Sequence, residues 1–306
     1  MKKKNFLYLC GGLGNQLFQY AAAKNLAIKN NAKIVIDTGT GFLRTIIGLS
    51  RFDFPRSEFV LDIKKFNNID LIKFSLVFFL YKIKKKLFIK KIFNNFKNLI
   101  LIDEMGLKYF DRRISNFIFE KNLYLMGYFQ SEKYFLENTK NIIKTLIPRK
   151  PKEKKYLYLK NKIISNNSVA ICVRAYEELS DNYSKKAMGG VANLSYYKNS
   201  INLIKKNSKN INYFLFSTKK LNLQNLIKKI KTLKTAQHQK RLFIITSDTG
   251  FEDAYANLWL MSFFKKIIIS NSSLYWWGMY FAKFRQKKIQ YFVSTNFTNK
   301  DSTRFK

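Results

Sequence analysis

Near the end of the chain an apolar run, Ile267-Ile268-Ile269, stops at Ser270-Asn271-Ser272-Ser273, and a bulky aromatic stretch, Leu274-Tyr275-Trp276-Trp277-Gly278, begins at once. The β-branched run reads as a buried parallel strand, the small polar residues as a tight turn and the aromatic stretch as a helix start. The first backbone N–H groups of such a helix lack intrahelical partners. Together with the positive end of the helix dipole they point at whatever sits above the strand. Ser272 and Ser273 add hydroxyl donors, so the turn suits a phosphate. The plainer reading is a serine N-cap on a core helix, and the two are compatible.

The same rhythm runs through the whole chain. Phe6 to Leu9 reads as a first strand, followed by Gly11-Gly12-Leu13-Gly14-Asn15-Gln16, a helix-like run from Leu17 to Ala27, and a second strand from Lys33 to Asp37. The glycine loop is no dinucleotide fingerprint, because Leu17 stands at the third glycine position, and no P-loop, because the Lys-Ser/Thr end is missing. Its glycines still let backbone approach a ligand closely. In the second half, strands are expected at Val169–Val173, Tyr213–Phe216, Leu242–Ile245 and Ile267–Ile269, with helices at Leu194–Lys205 and Glu252–Phe263. Three of these strands end in polar or charged residues, where the ligand crevice of a doubly wound sheet lies.

With 306 residues, two α/β domains of ordinary size are expected. Ile147-Pro148-Arg149-Lys150-Pro151-Lys152-Glu153-Lys154-Lys155 holds two of the three prolines amid charge and is the linker candidate, giving domains 1–150 and 151–306. Cys10 and Cys172 lie in apolar surroundings and read as buried thiols. His238, the one histidine, lies in a polar, loop-like stretch and reads as solvated, which excludes a His-rich zinc site. The N-terminal apolar run is too short for a signal peptide, and no stretch approaches the ~20 apolar residues of a membrane span, so a cytoplasmic protein is expected.

Lys and Arg number 57 against 19 Asp and Glu, a net charge of +38, which favours anionic partners. From Lys64 to Ile102 the chain is basic and apolar. It reads as a pair of surface helices with a solvated face, and the functional alternative is peripheral attachment to an anionic leaflet through Lys84, Lys85 and Lys86. A non-catalytic nucleic-acid-binding protein is the rival class, but the basic residues are spread along the chain and no RNA or DNA module stands out, so no nucleic-acid partner is expected.

No Asp-x-Asp occurs, so the usual sign of a metal-dependent nucleotide-sugar transferase is absent and no metal or cofactor is expected. What remains is Arg174 at one strand end and the Ser-Ser turn at another. Guanidinium binds phosphate bidentately and helix N–H groups complete a cradle, which suits a departing nucleoside diphosphate.

Three stretches then resemble, in order, the signatures of the glycosyltransferase family 11 alpha-1,2-fucosyltransferases. They are Gly11-Gly12-Leu13-Gly14-Asn15-Gln16-Leu17-Phe18-Gln19-Tyr20-Ala21, Gly127-Tyr128-Phe129-Gln130-Ser131-Glu132-Lys133-Tyr134-Phe135, and Leu260-Met261-Ser262 through Ser270-Asn271-Ser272-Ser273-Leu274-Tyr275-Trp276-Trp277-Gly278. The resemblance spans nearly the whole chain. It implies an α/β fold of GT-B type, two Rossmann-like domains facing across a cleft, with an acceptor-side N-terminal domain and a GDP-sugar-binding C-terminal domain. It further implies GDP-fucose as donor, inversion at the sugar, no required metal, and a galactose-terminated oligosaccharide or lipid-linked glycan as acceptor.

One motif departs from the family. Where His-x-Arg-Arg-x-Asp is usual, this chain reads Cys172-Val173-Arg174-Ala175-Tyr176-Glu177, and Phe-Ser-Asp-Asp becomes Phe216-Ser217-Thr218-Lys219. The resemblance gives Arg174 the donor phosphate and puts Glu177 in the acidic position, as base or as orienter of Arg174. A Cys172 backbone group is left to replace the histidine against guanine. Donor contacts are expected from Arg174, Ser217, Thr218, Asp253, Asn271, Ser272 and Ser273, with Asp253 equally readable as a first-turn helix acid. Gly11, Gly12, Gly14, Asn15 and Gln16 form the acceptor-side loop, where Asn15 and Gln16 either meet the acceptor or pin the loop. Trp276 and Trp277 read as core packing behind the turn.

Overall fold

The computed structural model describes residues 3–37, 81, 93–96, 99–105, 107–177, 179 and 181–296. The chain divides into two compact units, Met1–Leu146 and Ile147–Lys306.

The first unit runs β1 (Lys4–Tyr8), α1 (Leu13–Lys29), β2 (Lys33–Asp37), β3 (Phe93–Phe96), β4 (Leu99–Asp103), α2 (Arg112–Ser115), β5 (Asn122–Met126) and α3 (Thr139–Leu146). Its sheet has the order β2-β1-β5-β4-β3, parallel except for the β3–β4 edge pair. From β1 the chain steps to β2 on one side, and β5 fills the other side, so the winding reverses between β1 and β5. Helix α1 carries Leu17, Phe18, Ala21, Ala22, Ala23 and Leu26, all buried, and is enclosed nearly all round, with Gln16, Gln19 and Asn25 buried as well. Asn5 fastens it to the sheet by donating to the Ala23 carbonyl at 2.9 Å.

The helical reading of 64–102 fails at its C-terminal end. Leu99-Ile100-Leu101-Ile102 is a continuous apolar run of strand length, and Leu101 and Ile102 are wholly buried in the sheet. Apart from Tyr81, residues 64–92, including Lys84, Lys85 and Lys86, lie outside the described residues.

The second unit runs α4 (Lys154–Ser165), β6 (Ser168–Cys172), α5 (Asn182–Ala187), α6 (Leu194–Lys206), β7 (Asn212–Phe216), α7 (Leu221–Lys229), α8 (Lys231–His238), β8 (Leu242–Ile245), α9 (Ala254–Met261), β9 (Lys266–Ile269), α10 (Ser273–Arg285) and β10 (Gln290–Val293). All five strands are parallel in the order β10-β9-β6-β7-β8. The chain starts at the centre, moves out through β7 and β8, then returns to β9 and β10 on the other side. This is the doubly wound order, and its switch point falls between β6 and β9. Strands β6 and β7 are buried at every position, the mark of a sheet covered on both faces. The core of the unit gathers Val169, Ile171, Leu215 and Ile268 from the sheet with Ile201, Leu223 and Leu233 from the helices.

Trp276 and Trp277 are fully buried, as read from the sequence. Burial on this scale is worth about 4–6 kcal/mol for each indole by area. Helix α10 lies close against α9 because Gly278 has no side chain: a Cβ there would come within 2.4–3.1 Å of Met261. Both cysteines are free and buried. His238 is exposed, but it closes a helix rather than lying in a loop, because Leu233 and Ala236 bury one face of α8. Helix α9 is shorter than expected, bounded by Asp253 and Ser262. Among the described residues no helix is long and apolar enough to cross a membrane.

Candidate active site

Strands β6 and β9 pair in parallel with Cys172 opposite Ile269. The residues just beyond them therefore emerge side by side at the switch point, where an open α/β sheet leaves a crevice. Beyond β6 lies Arg174, and beyond β9 lies the Ser270–Ser273 turn. The two are joined directly: the Arg174 backbone N–H donates to Ser270 Oγ at 2.9 Å, and the Ser270 N–H donates to the Cys172 carbonyl at 3.2 Å. That carbonyl also lies 3.3 Å from the Tyr197 hydroxyl. Its two lone pairs are thus used inside the domain, and Cys172 does not offer a backbone acceptor to a base in place of the missing histidine.

Ser272 occupies the N-cap position of α10, but its side chain makes no capping hydrogen bond. The capping role expected for the Ser272 hydroxyl is therefore not taken up. The turn is held by backbone instead, through Ser272 N–H to Ser270 O at 2.8 Å and Trp276 N–H to Ser272 O at 2.9 Å. Ser272 and Ser273 are half-buried, and their hydroxyls make no hydrogen bond to the described residues, at a helix N-terminus whose first turn lacks acidic residues and so suits an anion.

Asn271 faces inward. Its Nδ2 lies 2.9 Å from Tyr176 Oη, 2.9 Å from the Gly190 carbonyl, 3.1 Å from the Met188 carbonyl and 3.3 Å from the Asn296 carbonyl. It braces the turn from behind. Tyr176 completes the brace, with its hydroxyl 2.9 Å from the Met188 carbonyl and 3.0 Å from the Asn271 carbonyl. Tyr176 adopts φ 55°, a left-handed conformation that costs a non-glycine residue about 1–3 kcal/mol and persists where neighbours over-determine it. The Arg174 guanidinium lies over the Tyr176 ring, 4.6 Å from centroid to Cζ, a cation–π contact that helps hold the cation in place. Glu177, the next residue, keeps Oε2 shielded from solvent with no hydrogen bond. Arg174 and Glu177 both act electrostatically on the buried Tyr275 phenol, whose pKa burial pushes far up.

The other expected donor residues divide. Ser217 Oγ donates to the Val173 carbonyl at 3.0 Å and accepts from Asn222 Nδ2 at 3.1 Å, so it ties the ends of β6 and β7 together. Thr218 is exposed at the same edge. Asp253 is the N-cap of α9, with Oδ1 accepting from the Tyr255 and Ala256 N–H groups at 2.8 and 3.0 Å. The helix-acid reading of Asp253 is realised.

In the first unit, two signatures flank the switch point of the sheet. The glycine loop follows β1 and the Gly127–Gln130 turn follows β5, with Leu7 paired to Leu125. Gln16 is buried and donates to the Gly11 carbonyl at 2.7 Å, so it pins the loop. Gly11 takes φ 75° and Gly12 is the N-cap of α1, while Asn15 accepts from Gln130 Nε2 at 2.8 Å. Burial pushes the Cys10 thiol up to about 11, which keeps it protonated and inert.

Sequence reasoning missed Tyr176, the Gly189-Gly190 pair and Glu104. Glu104 is buried beyond the end of β4, and burial pushes its carboxyl from 4.5 up to about 7, against the opposing effect of N–H groups from Phe129 and Tyr128. Two adjacent acids closing an apolar run, Asp103-Glu104, were the available signal. Because the folded-state value is raised, the native state holds the proton more tightly, and stability falls as pH rises from about 4.5 through about 7. Between those limits Glu104→Gln should gain about 3 kcal/mol on the wild type in urea unfolding. Parallel pH–stability curves for the two proteins would remove that account.

The Glycosyl transferase family 11 model matches residues 6–305. Alpha-1,2-colitosyltransferase of Escherichia coli is 27% identical over 284 residues, covering 90% of this chain and 87% of that protein. A mutant of Arabidopsis thaliana FUT1 in complex with GDP superposes with a TM-score of 0.52 at 11% identity, over 96% of this chain and 70% of that one. Fucosyltransferase NodZ from Bradyrhizobium superposes with a TM-score of 0.44 at 11% identity, over 91% and 93% of the two chains. The two units have the GT-B type of α/β fold. A family model spanning all but the extreme ends, over two sheets that carry its signatures at their switch points, makes this chain a member of glycosyl transferase family 11, a glycosyltransferase.

Proposed function

We propose that the chain is an inverting, metal-independent fucosyltransferase that moves L-fucose from GDP-fucose to O2 of a terminal galactose in a bacterial surface glycan precursor. The observation that carries this reading is the pairing at the second switch point: Arg174 backbone bound to Ser270 Oγ, beside a helix N-terminus with the uncommitted Ser272 and Ser273 hydroxyls. A diphosphate there is met by guanidinium, hydroxyls and N–H groups together. Their fixed positive potential stabilises the charge that develops as the C–O bond to fucose breaks. In this reading Arg174 is the catalytic electrophile, and no bound cation is required for the leaving group.

Glu177 is the base of this proposal. It lies three residues beyond Arg174 in the family's acidic position, and an attacking acceptor hydroxyl needs a nearby carboxylate to take its proton. The first unit, with Asn15 at its loop, receives the acceptor. A net charge of +38 suits an acceptor that is itself anionic or is carried on an anionic inner leaflet.

A second donor is favoured by one observation, the colitosyltransferase activity of the Escherichia coli relative. Colitose is L-fucose without its 3-hydroxyl, so the same cradle would serve it. Incubation with GDP-fucose and galactose-terminated acceptors in EDTA is expected to yield a fucosylated product. Neither product nor donor hydrolysis with any acceptor would overturn the fucose reading, and turnover of GDP-colitose alone would establish the second donor.

A further inference from the structure

Glu104 belongs to none of the three signatures, yet it supports one of them. Its backbone N–H donates to the Met126 carbonyl at 2.8 Å, which places it beside the end of β5. Its Oε2 accepts from the Tyr128 N–H at 2.8 Å and the Phe129 N–H at 3.0 Å. The turn so held is unusual: Gly127 has φ 154° and Phe129 has φ 48°. A Cβ on Gly127 would lie 2.6 Å from both Glu104 Cβ and Glu104 Oε2. The glycine of this signature is therefore required by a carboxylate that lies outside it. A bent turn containing a left-handed phenylalanine needs its N–H groups satisfied, and one buried carboxylate oxygen satisfies two.

The turn ends in Gln130, whose Nε2 donates to Asn15 Oδ1 at 2.8 Å. That bond fixes which way the Asn15 amide faces. The oxygen is used, so Nδ2 is the group presented, and it makes no hydrogen bond to the described residues. Asn15 lies in the first turn of α1, where its N–H is held by the Gly12 carbonyl at 2.9 Å. The contacts form one chain, from Glu104 to the turn, from Gln130 to Asn15, across the switch point of the first sheet.

We propose that Glu104 is a positioning residue which, through the Gly127–Gln130 turn and Gln130, aims the Asn15 amide N–H group at a hydroxyl of the acceptor sugar. The proposal rests on the reading of the first unit as the acceptor side.

Two measurements test it. With the full chain, Glu104→Ala should raise the acceptor KM about tenfold, the scale of one lost oriented hydrogen bond, with the donor KM changed less than about twofold. Gln130→Ala, which removes only a partly exposed amide, should raise the acceptor KM in the same way, and Glu104→Gln should restore it because Oε1 still accepts both N–H groups. The second measurement needs no substrate: hydrogen exchange at Tyr128 and Phe129 should be slow in the wild type and in Glu104→Gln, and fast in Glu104→Ala. An unchanged acceptor KM in Gln130→Ala, or unchanged exchange in Glu104→Ala, overturns the proposal. A wild type that leaves GDP-fucose untouched refutes the donor reading instead, and the exchange result still decides the role of Glu104.

Discussion

Arg174→Lys is expected to lower transfer about 30- to 1,000-fold, a loss of about 2–4 kcal/mol of transition-state stabilisation. Lysine keeps the charge and loses two geometric properties. It cannot bind two phosphate oxygens through a planar fork, and it cannot present a delocalised guanidinium to the Tyr176 ring, which the Arg174 Cζ now faces at 4.6 Å. The backbone bond from residue 174 to Ser270 Oγ does not depend on the side chain, so the fold of the turn should survive. Steady-state kinetics should therefore show the loss while urea unfolding changes little. Turnover near that of the wild type would take Arg174 out of the mechanism.

Gly189→Ala is expected to cost stability on the order of 2–3 kcal/mol and to abolish tight GDP binding. Gly189 has φ 93°, and a Cβ there would come 1.8 Å from the Asn296 carbonyl oxygen and 2.8 Å from Asn271 Nδ2. The first obstacle is backbone, so relief requires the 188–190 segment to move. That segment supplies the Met188 and Gly190 carbonyls that hold Asn271. Displacing it loosens the turn that presents Ser272 and Ser273 without altering either serine. Chemical denaturation and GDP titration of the variant check both halves. Normal GDP affinity would show that the Asn271 brace is dispensable.

The legible parts of the fold were those that depend on short-range pattern. The apolar runs of β6, β7 and β9 were readable because a parallel strand buried on both faces cannot interrupt its hydrophobicity, and the half-buried edge strand β8 was readable because Leu242-Phe243-Ile244-Ile245 is apolar at every position. Strand β10 was not singled out, because Gln290-Tyr291-Phe292-Val293 opens on an exposed polar residue and leaves only three apolar positions to show a pattern. The Leu99–Asp103 strand was absorbed into a basic segment because cations on neighbouring residues mask a four-residue apolar run. In the candidate site, Arg174 and the serine turn were visible as polar residues at strand ends. Tyr176 was not, since a tyrosine in sequence gives no sign that its backbone is left-handed or that its hydroxyl bridges two loops.

Asp253 and Ser272 show the limit from the other side. Both are good N-cap types, and sequence alone gives each the same two readings. Only the folded chain distinguishes them: Asp253 bends its carboxylate back to two N–H groups of its own helix, while Ser272 leaves its hydroxyl out. The sequence by itself determined the alternation of strand and helix, the polar strand ends and the family, because periodicity and local motif are properties of neighbouring residues. The tertiary structure alone decided that Arg174 meets Ser270 and that Glu104 lies beneath Gly127. Those partners are 96 and 23 residues apart in sequence, and only the order in which parallel strands pair brings them together.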